Sequence, residues 1–184
     1  MTTTNQNIEQ LLSSCKLGDQ RAQMEIYKRY YKAMYNTAFR IVKDSYKAED
    51  IMQDSFLTAF TKLDTLKEIS TFGSWLKRIV VNNSILDYNK KSYTVPIDDV
   101  LYKVEDEREE NASDNKDFTS VKAKQILDSM NLLKDNYRIG LSLHLIEGYD
   151  YEEICEIMNI SYANCRTMIS RAKDRLRRKL EPTG

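Results

Sequence analysis

Apolar positions over residues 7 to 92 recur at threes and fours, the spacing that lines up side chains on one face of an α-helix. Ile8, Leu11, Leu12 and Cys15 open the pattern. Gly18 and Asp19 interrupt it, and a longer helix is expected beyond them with Met24, Tyr27, Tyr31, Met34, Tyr35 and Ala38 on one side. A third helix runs from about Ala48 to Leu63, carrying Ile51, Met52, Ser55, Phe56, Ala59, Phe60 and Leu63. After the connection DTLKEIST, Thr71 is expected to cap a fourth helix whose core face is Phe72, Trp75, Leu76, Ile79 and Leu86. Four such helices suffice for one small domain.

Between residues 93 and 118 the periodicity lapses. Pro96, a run of acidic residues and the cluster NASDN all oppose a packed helix, so this stretch reads as a flexible linker. A second helical block starts at about Phe118. Val121, Ile126, Leu127, Met130, Leu132 and Leu133 mark one helix, and Ile139 to Ile146 the next. Gly148 closes that helix, and Tyr151 to Met158 forms a short one with Ile154, Ile157 and Met158 inward. No segment alternates apolar and polar residues as a half-buried strand does, and glycine (five) and proline (two) are both scarce.

The last helix, YANCRTMISRAKDRLRRKL, spans residues 162 to 180. At 100° per residue Cys165, Ile169, Ala172, Leu176 and Leu180 share one face, while Ala163, Asn164, Thr167, Ser170, Arg171, Asp174 and Arg178 face the other way. Ser161 is a suitable N-cap. A short helix, a tight turn and a second helix with polar and cationic side chains in its first turns is the helix-turn-helix pattern. The alternative is a solvated terminal helix whose cations complement the macrodipole. The fold expected is all-α: two small helical domains, 1–92 and 119–184, joined by a flexible acidic linker at 93–118, the C-terminal domain containing the helix-turn-helix.

Charge sharpens this picture. The 184 residues carry a formal net charge of zero, yet residues 98–117 hold nine acidic side chains against three basic, and residues 166–179 hold seven basic against one acidic. Segregation of this kind concerns partners rather than fold. No apolar run is long enough to span a bilayer, and the N-terminus lacks the features of a signal peptide, so a cytoplasmic protein is expected. Three cysteines, never spaced as CxxC, and a single histidine favour reduced, buried thiols over a metal site. His144, in LSLHLIEG, reads as a core residue. No catalytic constellation, phosphate loop or ligand cluster is present, so neither an enzyme nor a cofactor is expected.

The fourth helix of the first block carries Trp75, Lys77, Arg78, Asn82, Asn83, Asp87, Lys90 and Lys91, an aromatic interleaved with cations and amides. Such a set suits single-stranded or opened DNA. Trp75 also lies beside Phe72, Ile79 and Leu86 on the wheel and fits a core position equally.

These residues resemble a known family. YKAEDIMQDSFLTAFTKLD and TFGSWLKRIVVNNSILDYNKK are similar to region 2 of extracytoplasmic-function (ECF) sigma factors, and LSLHLIEGYDYEEICEIMNISYANCRTMISRAKDRLRRKL is similar to their region 4. The resemblance implies a non-catalytic subunit that binds core RNA polymerase, at its clamp helices and flap, and directs it to promoters. It implies polymerase docking by Asp50, Gln53, Asp54, Phe56 and Phe60, although the phenylalanines also fit a core. Contacts to the −10 element are implied for Lys77, Arg78, Asn82, Asn83, Asp87 and Lys90, with capture of a flipped base by the loop from Asp64 to Thr71. Contacts to the −35 duplex are implied for Asn164, Arg166, Thr167, Ser170 and Arg171. An anti-sigma factor is a further implied partner.

Three positions depart from the family. Lys90 stands where an arginine is common, so it supplies charge without a bidentate guanidinium. Ala163 and Met168 stand where glycine and arginine are often found in the recognition helix. The alternative function is a conventional helix-turn-helix regulator acting on duplex operators.

Overall fold

The computed structural model describes residues 7–94 and 118–181. The acidic linker of the sequence reading, apart from its two ends, lies outside the described residues. Every regular element among them is helical, so the fold is all-α. They cluster into two compact units that divide between Lys90 and Lys91.

In the first unit α1 (Ile8–Lys16) buries Leu11, Leu12 and Cys15. Gly18 stops it at φ +82°, with Gly18 and Asp19 N–H donating to the Cys15 and Ser14 carbonyls. Asp19 then caps α2 (Gln20–Val42), its carboxylate accepting from Arg21 N–H at 2.9 Å. Lys43 in the left-handed region ends α2, and Asp44 caps α3 (Ser45–Thr61) by accepting from Lys47 N–H at 3.1 Å. So short a loop returns α3 along α2, and the Tyr27 and Phe56 rings meet at 4.9 Å.

The buried side of α2 is Ala22, Ile26, Met34, Thr37, Ala38, Ile41 and Val42, so Met24, expected inside, is 53% exposed. Two single-turn 3₁₀ segments, Leu63–Thr65 and Ile69–Thr71, lead into α4 (Phe72–Thr94). Thr71 does not cap α4: its hydroxyl donates to Glu68 O at 2.7 Å and closes the preceding turn. Burial on α4 falls on Phe72, Leu76, Val80, Val81, Ser84 and Ile85, while Trp75 is half-exposed and Leu86 59% exposed. Four-residue steps rotate a stripe by about 40° each, so a 23-residue helix crossing its neighbours winds its contact face away from the line read at its start. Gly73 lies against the Tyr30 ring, where an added Cβ would stand 3.3 Å from a ring carbon.

In the second unit α5 (Phe118–Asn131) is followed by α6 (Asp135–Leu141), which runs into a π-helical turn at Ser142–Ile146. Met130 and Leu133 are buried, whereas Val121, Ile126, Leu127 and Leu132 are 40–71% exposed. The expected core face of α5 is therefore covered only at its end. Gly140 lets α6 approach α8 (Tyr162–Leu180) closely, since a Cβ there would meet Met168 Cε at 2.6 Å and Ile169 Cδ1 at 3.1 Å.

Candidate nucleic-acid interface

The helix-turn-helix is built by local signals. Gly148 at φ +80° ends the π turn. Asp150 and Glu153 form a reciprocal capping box on α7 (Tyr151–Met158), with Asp150 Oδ1 accepting from Glu153 N–H at 2.8 Å and Glu153 Oε2 accepting from Asp150 N–H at 2.9 Å. Asn159 turns the chain in the left-handed region, and Ser161 Oγ accepts from Asn164 N–H at 3.2 Å to start α8. Cys165, Met168, Ile169, Ala172 and Leu176 are buried.

That core face leaves Asn164, Arg166, Thr167, Ser170 and Arg171 all exposed in the first half of α8. The face is polar and cationic where a major groove would receive it. Met168 is corrected by the structure: at 8% exposure it packs over Gly140 and faces no base. Further along, Asp174 accepts from Arg177 Nη1 at 2.9 Å, which offsets part of the terminal charge, and Arg175, Arg178 and Lys179 are exposed. Leu180, placed on the core face by the wheel, is 40% exposed.

On α4, Lys77 and Arg78 are half-buried and Asn82 and Lys90 exposed. Two of the expected DNA contacts are tied to α3. Asn83 Nδ2 donates to Ser55 Oγ at 3.0 Å, and Lys47 Nζ donates to Asp87 Oδ2 at 3.3 Å. The buried Ser55 hydroxyl donates to Ile51 O at 2.6 Å, so its oxygen can only accept from Asn83, and the amide oxygen of Asn83 is turned away from it. Trp75 stays partly exposed beside Phe72, ring centroids 6.0 Å apart, a position between the two expected roles.

Asp50, Gln53 and Asp54 are exposed on α3, with Gln53 Nε2 donating to Glu49 Oε1 at 3.3 Å. Phe56 is a second correction. It is 2% exposed, held by Tyr27 and Phe60, and offers no surface to a partner; Phe60 is half-buried. The Asp64 to Thr71 loop is pinned at its ends by Thr65 and Thr71 hydroxyls donating to Lys62 O and Glu68 O, both at 2.7 Å, while Asp64, Lys67, Glu68 and Ser70 are exposed.

An open groove of about 490 Å³ lies between α3 and α4, lined by Ile51, Asp54, Leu57, Thr58, Asn83, Leu86, Asp87 and Lys90. It brings one expected polymerase contact, Asp54, together with three expected −10 contacts. Leu57 (66% exposed) and Leu86 (59%) give it an apolar floor that periodicity assigned to no surface. Leu57 lies off the stripe expected for the third helix, whereas Leu86 was expected on the core face of the fourth and is corrected to the surface.

His144 Nδ1–H donates to Tyr149 O at 2.9 Å and its ring lies 5.0 Å from that of Tyr151, a satisfied, half-buried position. Among the described residues no three His, Cys, Asp or Glu side chains are grouped to hold a metal ion, and no helix is long and apolar enough to cross a membrane.

Two helical units, one carrying a cation- and amide-bearing helix beside a groove and the other a helix-turn-helix, define a nucleic-acid-binding protein of the transcription class. The Sigma-70 region 2 family matches residues 26–93, and Sigma-70, region 4 matches residues 123–176. The chain is 31% identical over 157 residues to the ECF RNA polymerase sigma factor SigM of Bacillus subtilis, covering 83% of this chain and 91% of that one. It is 25% identical over 179 residues to the ECF RNA polymerase sigma-E factor of Haemophilus influenzae, covering 94% of each. Its fold is similar to that of sigma factor RpoE from Bartonella quintana, solved with the anti-sigma factor NepR, at a TM-score of 0.55 and 22% identity over 88% of this chain and 98% of that one. The protein belongs to the ECF family of RNA polymerase sigma factors.

Proposed function

We propose that the chain is a non-catalytic specificity subunit, working on cytoplasmic polymerase, in which residues 1–92 dock on the core enzyme and hold the opened −10 strand while residues 119–184 read the −35 duplex. The observation that carries this reading is the pairing of the α3–α4 groove with a cap-defined helix-turn-helix in one chain of the family. Asp50, Gln53 and Asp54 present polar groups to the polymerase clamp helices, with Phe60 at their edge and Phe56 beneath as core. The second unit docks on the polymerase flap.

Lys77, Arg78 and Lys90 attract strand phosphates, Asn82 offers an exposed amide, and Asn83 and Asp87 keep the helix in register on α3. The exposed Asp64 to Thr71 loop receives a flipped base. Asn164, Arg166, Thr167, Ser170 and Arg171 meet base edges, while the later arginines meet phosphates and act by counterion release. Base pairs open because the trapped strand is bound more tightly than the stacked one. The acidic linker at 93–118 occupies cationic channels of the polymerase, and an anti-sigma factor holds the protein inactive.

Transcription with purified core enzyme on a randomised promoter library tests this. Promoter-specific transcripts that need the chain support it. Tight binding of the chain alone to a palindromic duplex, with no promoter-specific transcript when core enzyme is added, would establish the conventional regulator instead.

A further inference from the structure

Duplex reading by α8 leaves unused a row of three aromatic rings that crosses the helix-turn-helix. His144, in the π turn, has its ring 5.0 Å from that of Tyr151 and is itself fixed by donating to Tyr149 O at 2.9 Å. Tyr151 opens α7 and meets Tyr162, which opens α8, edge to face at 6.2 Å. The first two rings are half-buried, whereas Tyr162 is 52% exposed. Edge-to-face contact is a preferred arrangement of aromatic rings, so the two half-buried rings hold the third at the surface in a restricted orientation. A side chain already held in this way loses less freedom when it binds.

The place of that ring decides what it can meet. On α8 Tyr162 lies about 40° around the helix from the exposed Arg166, one turn later. It stands at the border between the buried face of Cys165 and Ile169 and the outward face of Asn164, Thr167 and Arg171. Side chains at the centre of the outward face reach base edges, and those at its border reach the groove wall, which is sugar and phosphate. A phenol suits a wall: its ring covers the carbons of a deoxyribose, and its O–H donates to a phosphate oxygen, which only accepts. This chain has the more need of such a contact, because Met168 is buried and Ala163 offers only a methyl group.

We propose that Tyr162 is a further duplex-binding residue, its hydroxyl donating to one phosphate at the edge of the site that α8 reads. This rests on the reading of α8 as the duplex-binding helix. The contact is uncharged and meets no base, so it adds affinity without adding base preference or releasing a counterion.

The test uses holoenzyme made with the full chain, on a promoter that it selects from a randomised pool. Where core enzyme yields no promoter-directed transcript, the sigma reading falls, and the full chain alone is tested on a duplex that it selects itself. Tyr162→Phe keeps the ring and removes only the hydroxyl. It is expected to weaken binding roughly tenfold, with the selected sequence and the slope of affinity against salt unchanged, unlike the loss of a phosphate-bound arginine. Duplexes in which one phosphate at a time is replaced by a neutral methylphosphonate locate the partner. At one position the replacement and Tyr162→Phe should together cost no more than the costlier of the two alone. Parent affinity in Tyr162→Phe, an altered sequence preference, an altered salt slope, or costs that add in full at every phosphate overturns the proposal, as does failure to bind duplex both in holoenzyme and alone.

Discussion

Gly140→Ala tests how α8 is seated. The added methyl would stand 2.6 Å from Met168 Cε and 3.1 Å from Ile169 Cδ1. The Met168 methyl is the end of a flexible chain and can swing away, but Ile169 is fully buried and, being β-branched, has one strongly preferred χ1 in a helix. Overpacking of this kind costs about 1–3 kcal/mol. Against it stands a gain of about 1 kcal/mol for replacing glycine by alanine inside a helix. The expected net effect is a loss of about 1 kcal/mol in the second unit. In a Met168→Ala background the shorter contact is gone and the space the methionine leaves lets Ile169 Cδ1 turn aside about χ2, so Gly140→Ala should now stabilise by about 1 kcal/mol. The coupling across the cycle is then about 2 kcal/mol. Trp75, the single tryptophan, reports on the first unit, so the second is better followed by amide hydrogen exchange at Ile169 and Ala172 across the four proteins. Equal shifts in both backgrounds, or stabilisation of the parent by Gly140→Ala, would refute the contact. The same geometry explains why an arginine at position 168 would enter the core rather than the groove.

Other outcomes follow from single contacts. Asn83→Asp should destabilise the first unit by about 1–3 kcal/mol in urea unfolding and more than Asn83→Ala does, because Ser55 has already spent its proton on Ile51 O and would face a second acceptor; an aspartate variant as stable as the alanine one would contradict this. Arg171→Ala should relax base preference in a promoter selection, whereas Arg178→Ala should weaken all duplexes alike and lower the salt slope by about 1. Burial, and then the Asp19 carboxylate, push the Cys15 thiol from 9.0 up to about 11. The unfolded chain therefore releases this proton first, and the contribution to stability, whole below pH 9, is lost as pH rises toward 11, up to about 3 kcal/mol; Cys15→Ala should flatten that decline in thermal unfolding.

What was legible in the chain was what neighbouring residues decide among themselves. Gly148 and Ser161 act within four residues of their targets, so the turn and the outward face of α8 follow from local rules, and the Asp150 and Glu153 box, a local signal of the same kind, was missed in the sequence. The winding of the buried stripe on α4 and the half-covered face of α5 depend on where other helices pass, and a wheel drawn for one helix carries no record of that. The site divides in the same way. Amides and carboxylates at Asn83 and Asp87 are the residue types a DNA strand calls for, and equally the types that clasp one helix to another. Only their distant partners, Ser55 at a separation of 28 residues and Lys47 at 40, decide between the roles. Because Asn83 gives its N–H group to Ser55, α3 determines which atoms α4 can show to a strand. The helix proposed to face the polymerase and the helix proposed to face the opened DNA thus share one hydrogen-bonded seam, and a substitution at the buried Ser55 should disturb −10 recognition before it disturbs docking at Asp50, Gln53 and Asp54.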